Sequence, residues 1–256
     1  GPSRGRRHGA GGNASAAGHN AQPTHAGAGG HGMSPFEVQL RRDLRLGWAG
    51  RGDMAVMLGF FLIILTLVPL AIGPDAVFLQ PIAVPMIWIA AMLSSLTGFT
   101  RIFSEDVRCG WVDQVALSPL PLPLYVIAKA ATHWVIGAVP MLLATPLMSL
   151  MLYMNTSQLP ALLLALVLGT AALTLLGVIG AALTEGARGG GGLMAVLVLP
   201  LAMPVLIFGA LASAPADDGI MTPHLMLLGA VLAVLLAVAP FIAAAALSET
   251  ESESGA

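Results

Sequence analysis

Six long apolar runs limit what this chain can become. They occupy residues 54–73, 81–100, 124–152, 159–184, 193–212 and 223–247, and none contains an Asp, Glu or Arg. A helix needs roughly 20 apolar residues to cross about 30 Å of hydrocarbon, so each run has the length of a span. In lipid every backbone N–H and C=O must be satisfied within the segment, which leaves the α-helix as the form such a run takes. The expected architecture is therefore an all-α polytopic membrane protein with about six transmembrane helices. Composition excludes the soluble alternative: 57% of the residues are hydrophobic, only 9% are charged, and the mean hydropathy is +0.86.

Polar features lie between and before these runs. Residues 1–33 are rich in Gly, Ala and His and lack apolar periodicity, so they are expected to be disordered; Met33 is the expected true start. The irregular spacing of His8, His19, His25 and His31 does not make a metal site. The membrane domain is expected over 34–247, and the acidic tail 248–256 is expected to be disordered. Ser34-Pro35-Phe36-Glu37 has the form of a capping box. The helix it starts carries Phe36, Leu40, Leu44 and Trp48 as one stripe, with Arg41, Arg42 and Arg45 outside it, the pattern of an amphipathic helix lying at an anionic membrane interface.

Counting Lys and Arg near the span ends gives the orientation. Arg41, Arg42, Arg45, Arg51, Arg101, Arg108, Lys129 and Arg188 fall on one side, while the loops around Asp75, Asn155 and Asp217-Asp218 contain no basic residue. Both termini are thereby expected in the cytoplasm. The net charge of −2 and the dispersed basic residues indicate no nucleic-acid partner. Cys109 is the only cysteine, which excludes an intrachain disulfide and a Cys-based metal cage.

No nucleotide-binding, zinc-protease or serine-hydrolase motif occurs, so the chain is expected to be a non-catalytic membrane subunit. Ionisable groups in a bilayer usually mark coupling sites. Here only Lys129 and His133 come close. They are four residues apart on one face of the third span; Lys129 with Trp134 reads as an interfacial anchor, and His133 as a weak candidate haem ligand. The segment 101–129 is the longest polar interruption between spans. In it Ser104 is placed to cap a short helix bearing Glu105 and Asp106. Val107, Trp111 and Val115 give that helix an apolar face, Gly110 is a bend, and Pro119, Pro121 and Pro123 stiffen the return to the membrane. The expectation is a cytoplasmic docking helix on a stiff stalk.

The segments FSEDVRCGWVDQVALSPLPLPLYVIAKAATHW and GVIGAALTEGARGGGGLMAVLVLPLAMPVLIFGA, with the opening LRRDLRLGWAGRGD, resemble the CcmB family, the B subunits of the cytochrome c maturation ABC system. The resemblance covers roughly residues 33–247. It implies the permease subunit of an ABC-2-like transporter in the bacterial inner membrane, partnered by a cytoplasmic ATPase (the A protein) and by membrane C and D subunits. It acts, by the same implication, on delivery of haem or release of a haem-loaded periplasmic chaperone. ATP would belong to the partner and haem would be cargo, with no cofactor bound directly. The resemblance also makes 103–117 the coupling element, with Phe103, Glu105, Asp106, Gly110 and Trp111 as docking residues and Pro119 and Pro121 behind them. A permease of another ABC-2 exporter, for lipid or drug, and a stand-alone channel share the same topology.

Overall fold

The computed structural model describes residues 34–49, 51–185, 190–213 and 223–254. Residues 1–33, Arg188 and the Asp217-Asp218 turn lie outside the described residues. All regular structure among the described residues is helical. The amino-terminal helix α1 (Pro35–Ala49) is followed by α2 (Arg51–Ile72) and α3 (Ala76–Phe99). Two short helices, α4 (Ser104–Arg108) and α5 (Trp111–Ala116), precede the long α6 (Leu122–Met151). Then come α7 (Leu159–Thr184), α8 (Gly190–Ala212) and α9 (Pro223–Ser254). Helices α2, α3, α6, α7, α8 and α9 are long and apolar enough to cross a membrane.

Local chemistry fixes the boundaries. Gly73 takes a positive φ of 102°, which ends α2, and Asp75 then caps α3 by accepting a 3.0 Å bond from Val77 N–H. That cap starts α3 ahead of Pro81, where the apolar run begins. Pro81 and Pro85 therefore lie inside the helix, where each removes one intrahelical bond without ending the span. At the turn between α6 and α7, the Asn155 side chain accepts from Ser157 N–H at 3.1 Å and caps a 3₁₀ turn over Thr156–Gln158. Helix α9 continues past Leu247 to Ser254, into the acidic stretch whose composition predicts disorder.

Helix α7 is the centre of the bundle. It packs against α3, α6, α8 and α9, and 67% of its most apolar window is buried inside the protein, against 22–39% for the other spans. Two of its glycines, Gly169 and Gly177, accommodate rings rather than neighbouring backbones, while Gly180 faces Val198 and Met194 of α8. A methyl group on Gly169 would overlap the Trp88 indole, and so would one on Gly209 of α8; a methyl on Gly177 would lie 2.6 Å from Phe99 Cε1. Trp88 and Phe99 of α3 thus sit in slots cut by missing side chains. Both are fully buried, and Trp88 Nε1 donates to Ser213 Oγ at 3.3 Å. Met57 of α2 fills the space left by Gly98 of α3 and Gly137 of α6, and Ser94 Oγ donates to the Met57 carbonyl. The Ser94–Gly98 cluster does allow close packing, through this bond and this gap.

Candidate functional site

The site forms where α1, α4 and the amino-terminal end of α6 meet. The capping box at the start of α1 is present: Ser34 N–H donates to Glu37 Oε2 at 3.0 Å and Glu37 N–H to Ser34 Oγ at 3.3 Å. Once started, α1 turns a polar pair inward. Gln39 and Asp43, one turn apart, are 4% and 3% exposed, and Gln39 Nε2 donates to Asp43 Oδ2 at 2.8 Å. The other oxygen of Asp43 takes Arg42 at 3.0 Å and faces Lys129 Nζ at 3.5 Å.

Helix α4 supplies the second carboxylate. Asp106 is 4% exposed; its Oδ2 accepts from Tyr125 Oη at 2.6 Å and pairs with Lys129 Nζ at 2.6 Å, while Oδ1 lies 3.6 Å from Arg42. Tyr125 and Lys129 are one turn apart on α6 and reach the same oxygen because i and i+4 share a face. Arg42 also lies 3.8 Å over the Trp111 ring of α5, an arrangement that suits a planar guanidinium. Two carboxylates and two cations therefore balance formally in one buried node that ties three elements together. Burial raises the Asp43 pKa above its ordinary 3.8, opposed chiefly by the Lys129 charge and then by the Gln39 hydrogen bond. Removing one partner from such a node costs about 3–5 kcal/mol, because the remaining charge stays buried and unpaired.

A polar cavity of about 170 Å³ adjoins the node, with Asp53, Arg101, Lys129, Thr132 and His133 in its wall. Arg101 pairs with Asp53 where both are exposed to solvent. The His133 ring lies 5.6 Å from that of Phe99 and closes on the gap beside Gly98 and Met57. His133, the weak candidate haem ligand, thus lies in the wall of this polar cavity beside Thr132 and Lys129. Among the described residues no group of three His, Cys, Asp or Glu could hold a metal ion.

The docking residues expected from sequence divide into two sets. Phe103 is fully buried and Asp106 lies inside the node. Trp111 is half-buried beneath Arg42, its Nε1 enclosed without a partner. Glu105, Pro119 and Pro121 are exposed, and Leu117, between them, is 91% exposed. Gly110 is the bend, with φ +67° between α4 and α5. The Ser104 hydroxyl does not cap α4: Phe103 holds the cap position and forms no side-chain bond. The apolar face of this segment turns inward: Val115, with Val112, joins the protein's own core, and Val107 and Trp111 pack against it.

Lys129 and Trp134 also have partners within the protein. Lys129 is drawn into the node by two carboxylates, and Trp134 Nε1 donates to Thr170 Oγ1 at 3.0 Å, tying α6 to α7. Gln39, Arg42, Asp43 and Tyr125 are site residues that the apolar stripe on α1 did not single out. Their signal was the i, i+4 spacing of Gln39 with Asp43 and of Tyr125 with Lys129, each a polar pair in a segment about to enter lipid.

Six spanning-length helices, with a charged node built at one end from the amino-terminal helix and the loop after the second span, define a multi-pass membrane protein of the all-α permease class. More narrowly, the chain belongs to the CcmB protein family, whose model matches residues 35–250. It is 45% identical over 216 residues to "Heme exporter protein B" of Paracoccus denitrificans, covering 83% of this chain and 98% of that protein. The protein of the same description from Pseudomonas aeruginosa is 40% identical over 219 residues, covering 85% and 98%. That from Escherichia coli K12 is 42% identical over 213 residues, covering 81% and 95%.

Proposed function

We propose that this chain is a membrane permease component of haem export in the bacterial inner membrane, and that α4 and α5 are its docking element for a separate cytoplasmic ATPase. Family membership and the relatives named for haem export support the first part. The single observation that carries the second is the two-sided build of the loop: Asp106 and Phe103 hold it to the bundle while Glu105, Leu117 and Pro119 stand outward. A loop held this way would move together with α1 and α6. The chain itself supplies no catalysis; ATP is hydrolysed on the partner, haem is the cargo, and membrane C and D subunits and a periplasmic haem chaperone complete the assembly. Both termini and the α4–α5 loop face the cytoplasm in this reading, on the positive-inside count.

Co-purification with the ATPase subunit tests the docking role. Glu105→Arg combined with Leu117→Glu alters only exposed positions, so membrane insertion and the unfolding midpoint should persist while recovery of the ATPase drops at least tenfold. Undiminished recovery would falsify docking through this face. Asp106→Arg is the wrong probe, since it breaks the buried node and confounds docking with stability.

A further inference from the structure

The outward edge of α1 carries the second inference. Helix α6 is 30 residues long, about 45 Å at 1.5 Å per residue, and so exceeds a hydrocarbon core of about 30 Å. Taking Met151 as the far boundary, about 20 residues of helix fill that thickness, which sets the near boundary close to Thr132. Gly47, near the end of α1, packs against Thr132 and Ile136. At the other end of α1, outside this boundary, Pro35 and Val38 line one groove with Trp111 and Pro119. Helix α1 therefore descends from the aqueous side to the top of the hydrocarbon, burying Gln39 and Asp43 against the protein on the way.

Opposite that buried face, Arg41, Arg45 and Trp48 follow one another at i, i+4 and i+7, a single edge of the helix, and all three are exposed. Trp48, beside the boundary-marking Gly47, is 60% exposed. Neither Arg41 nor Arg45 forms an ion pair among the described residues, whereas Arg42 and Arg101 both do. An exposed tryptophan at the boundary with two unpaired guanidiniums one and two turns above it matches the layered chemistry of a phospholipid, acyl chain below and phosphate above. We propose that the Arg41–Arg45–Trp48 edge is a binding site for the headgroup phosphate of an anionic phospholipid, in the leaflet on the side of the basic loops.

The test uses the full chain in nanodiscs of phosphatidylcholine alone or with phosphatidylglycerol. Phosphatidylglycerol should raise the unfolding midpoint of the parent chain by about 4–8 °C, given the usual contribution of a basic residue at an anionic surface and the usual midpoint response of a chain this size. Arg41→Gln with Arg45→Gln should abolish that rise and the retention of phosphatidylglycerol in native mass spectra, while Arg108→Gln on α4 leaves both intact. An equal rise in the parent and the double variant would overturn the proposal. So would stabilisation by inorganic phosphate equal to that by phosphatidylglycerol, which would make the site one for a soluble anion. An unchanged lipid response with loss of the ATPase subunit would also overturn it, assigning the edge to a protein partner.

Discussion

The node of Asp43, Asp106, Arg42 and Lys129 and the slots around Trp88 hold the same bundle together by opposite means. In the node, four charges and a tyrosine hydroxyl join α1, α4 and α6, and the cohesion lies in distances of 2.6–3.6 Å between named atoms. Around Trp88 the cohesion is shape: one indole enclosed by Gly169 of α7 and Gly209 of α8, with a single hydrogen bond to Ser213. A charge node has discrete alternatives, since each cation faces two carboxylates and can favour either. A ring in a fitted slot has none, because a close-packed interior resists small displacements. The difference places adaptability at the end that carries the α4–α5 loop and rigidity at the α3–α7–α8 contact.

The strongest way to break this contrast is at Asp106. Asp106→Ala should cost about 3–5 kcal/mol, because Arg42 and Lys129 are left to share the one remaining carboxylate of Asp43 and the buried Tyr125 hydroxyl loses its acceptor; denaturation of the purified protein reads the loss. The double variant Asp106→Leu with Lys129→Met, which removes anion and cation together, should recover most of it. If both variants are equally destabilised, the ionic account of the node fails. Smaller, and of a different kind, is the effect expected in the slot. Gly169→Ala should cost about 1–3 kcal/mol by overpacking against the indole, and Trp88→Phe in the same chain should relieve part of that loss. A Gly169→Ala protein as stable as the parent would show the slot to be loose.

The smallest effect sharpens the comparison through pH. The Asp43 carboxyl pKa is raised in the folded chain, chiefly by burial, so between 3.8 and that raised value the folded state binds more proton than the unfolded state. The contribution of this group to stability is therefore greatest in acid and is lost as pH rises through the raised pKa. Asp43→Asn should flatten that part of the stability profile and leave the slope elsewhere unchanged. An identical profile in the variant would mean that Asp43 is not the titrating group.

Much of this division was legible in the sequence, and the illegible part has a common cause. Runs of uncharged residues give spans directly, since the bilayer permits little else; the limits of α7 coincide with those of its apolar run because a capped turn precedes it and Glu185 follows. Periodicity also placed α1 and its capping box, and Gly110 as the bend in the loop. It did not show that Asp106 points inward, because the same Glu105-Asp106 pair suits a solvated first turn equally well. Only the approach of α6, bringing Tyr125 and Lys129 to one oxygen, distinguishes the two acids. Likewise Gly169 and Gly177 of α7 were legible as contact points, but that their partners are Trp88 and Phe99 rather than another backbone depends on how α3 crosses them.

The length of α6 gives the node mechanical leverage. From Lys129 to Met151 the helix runs 22 residues, about 33 Å at 1.5 Å per residue. A tilt of about 10° pivoting at the charged end would carry the far end sideways by about 6 Å, more than the width of one helical turn's rise. Because Asp106 joins α4 directly to Lys129, the loop is tied to the end of α6 from which such a tilt would be levered.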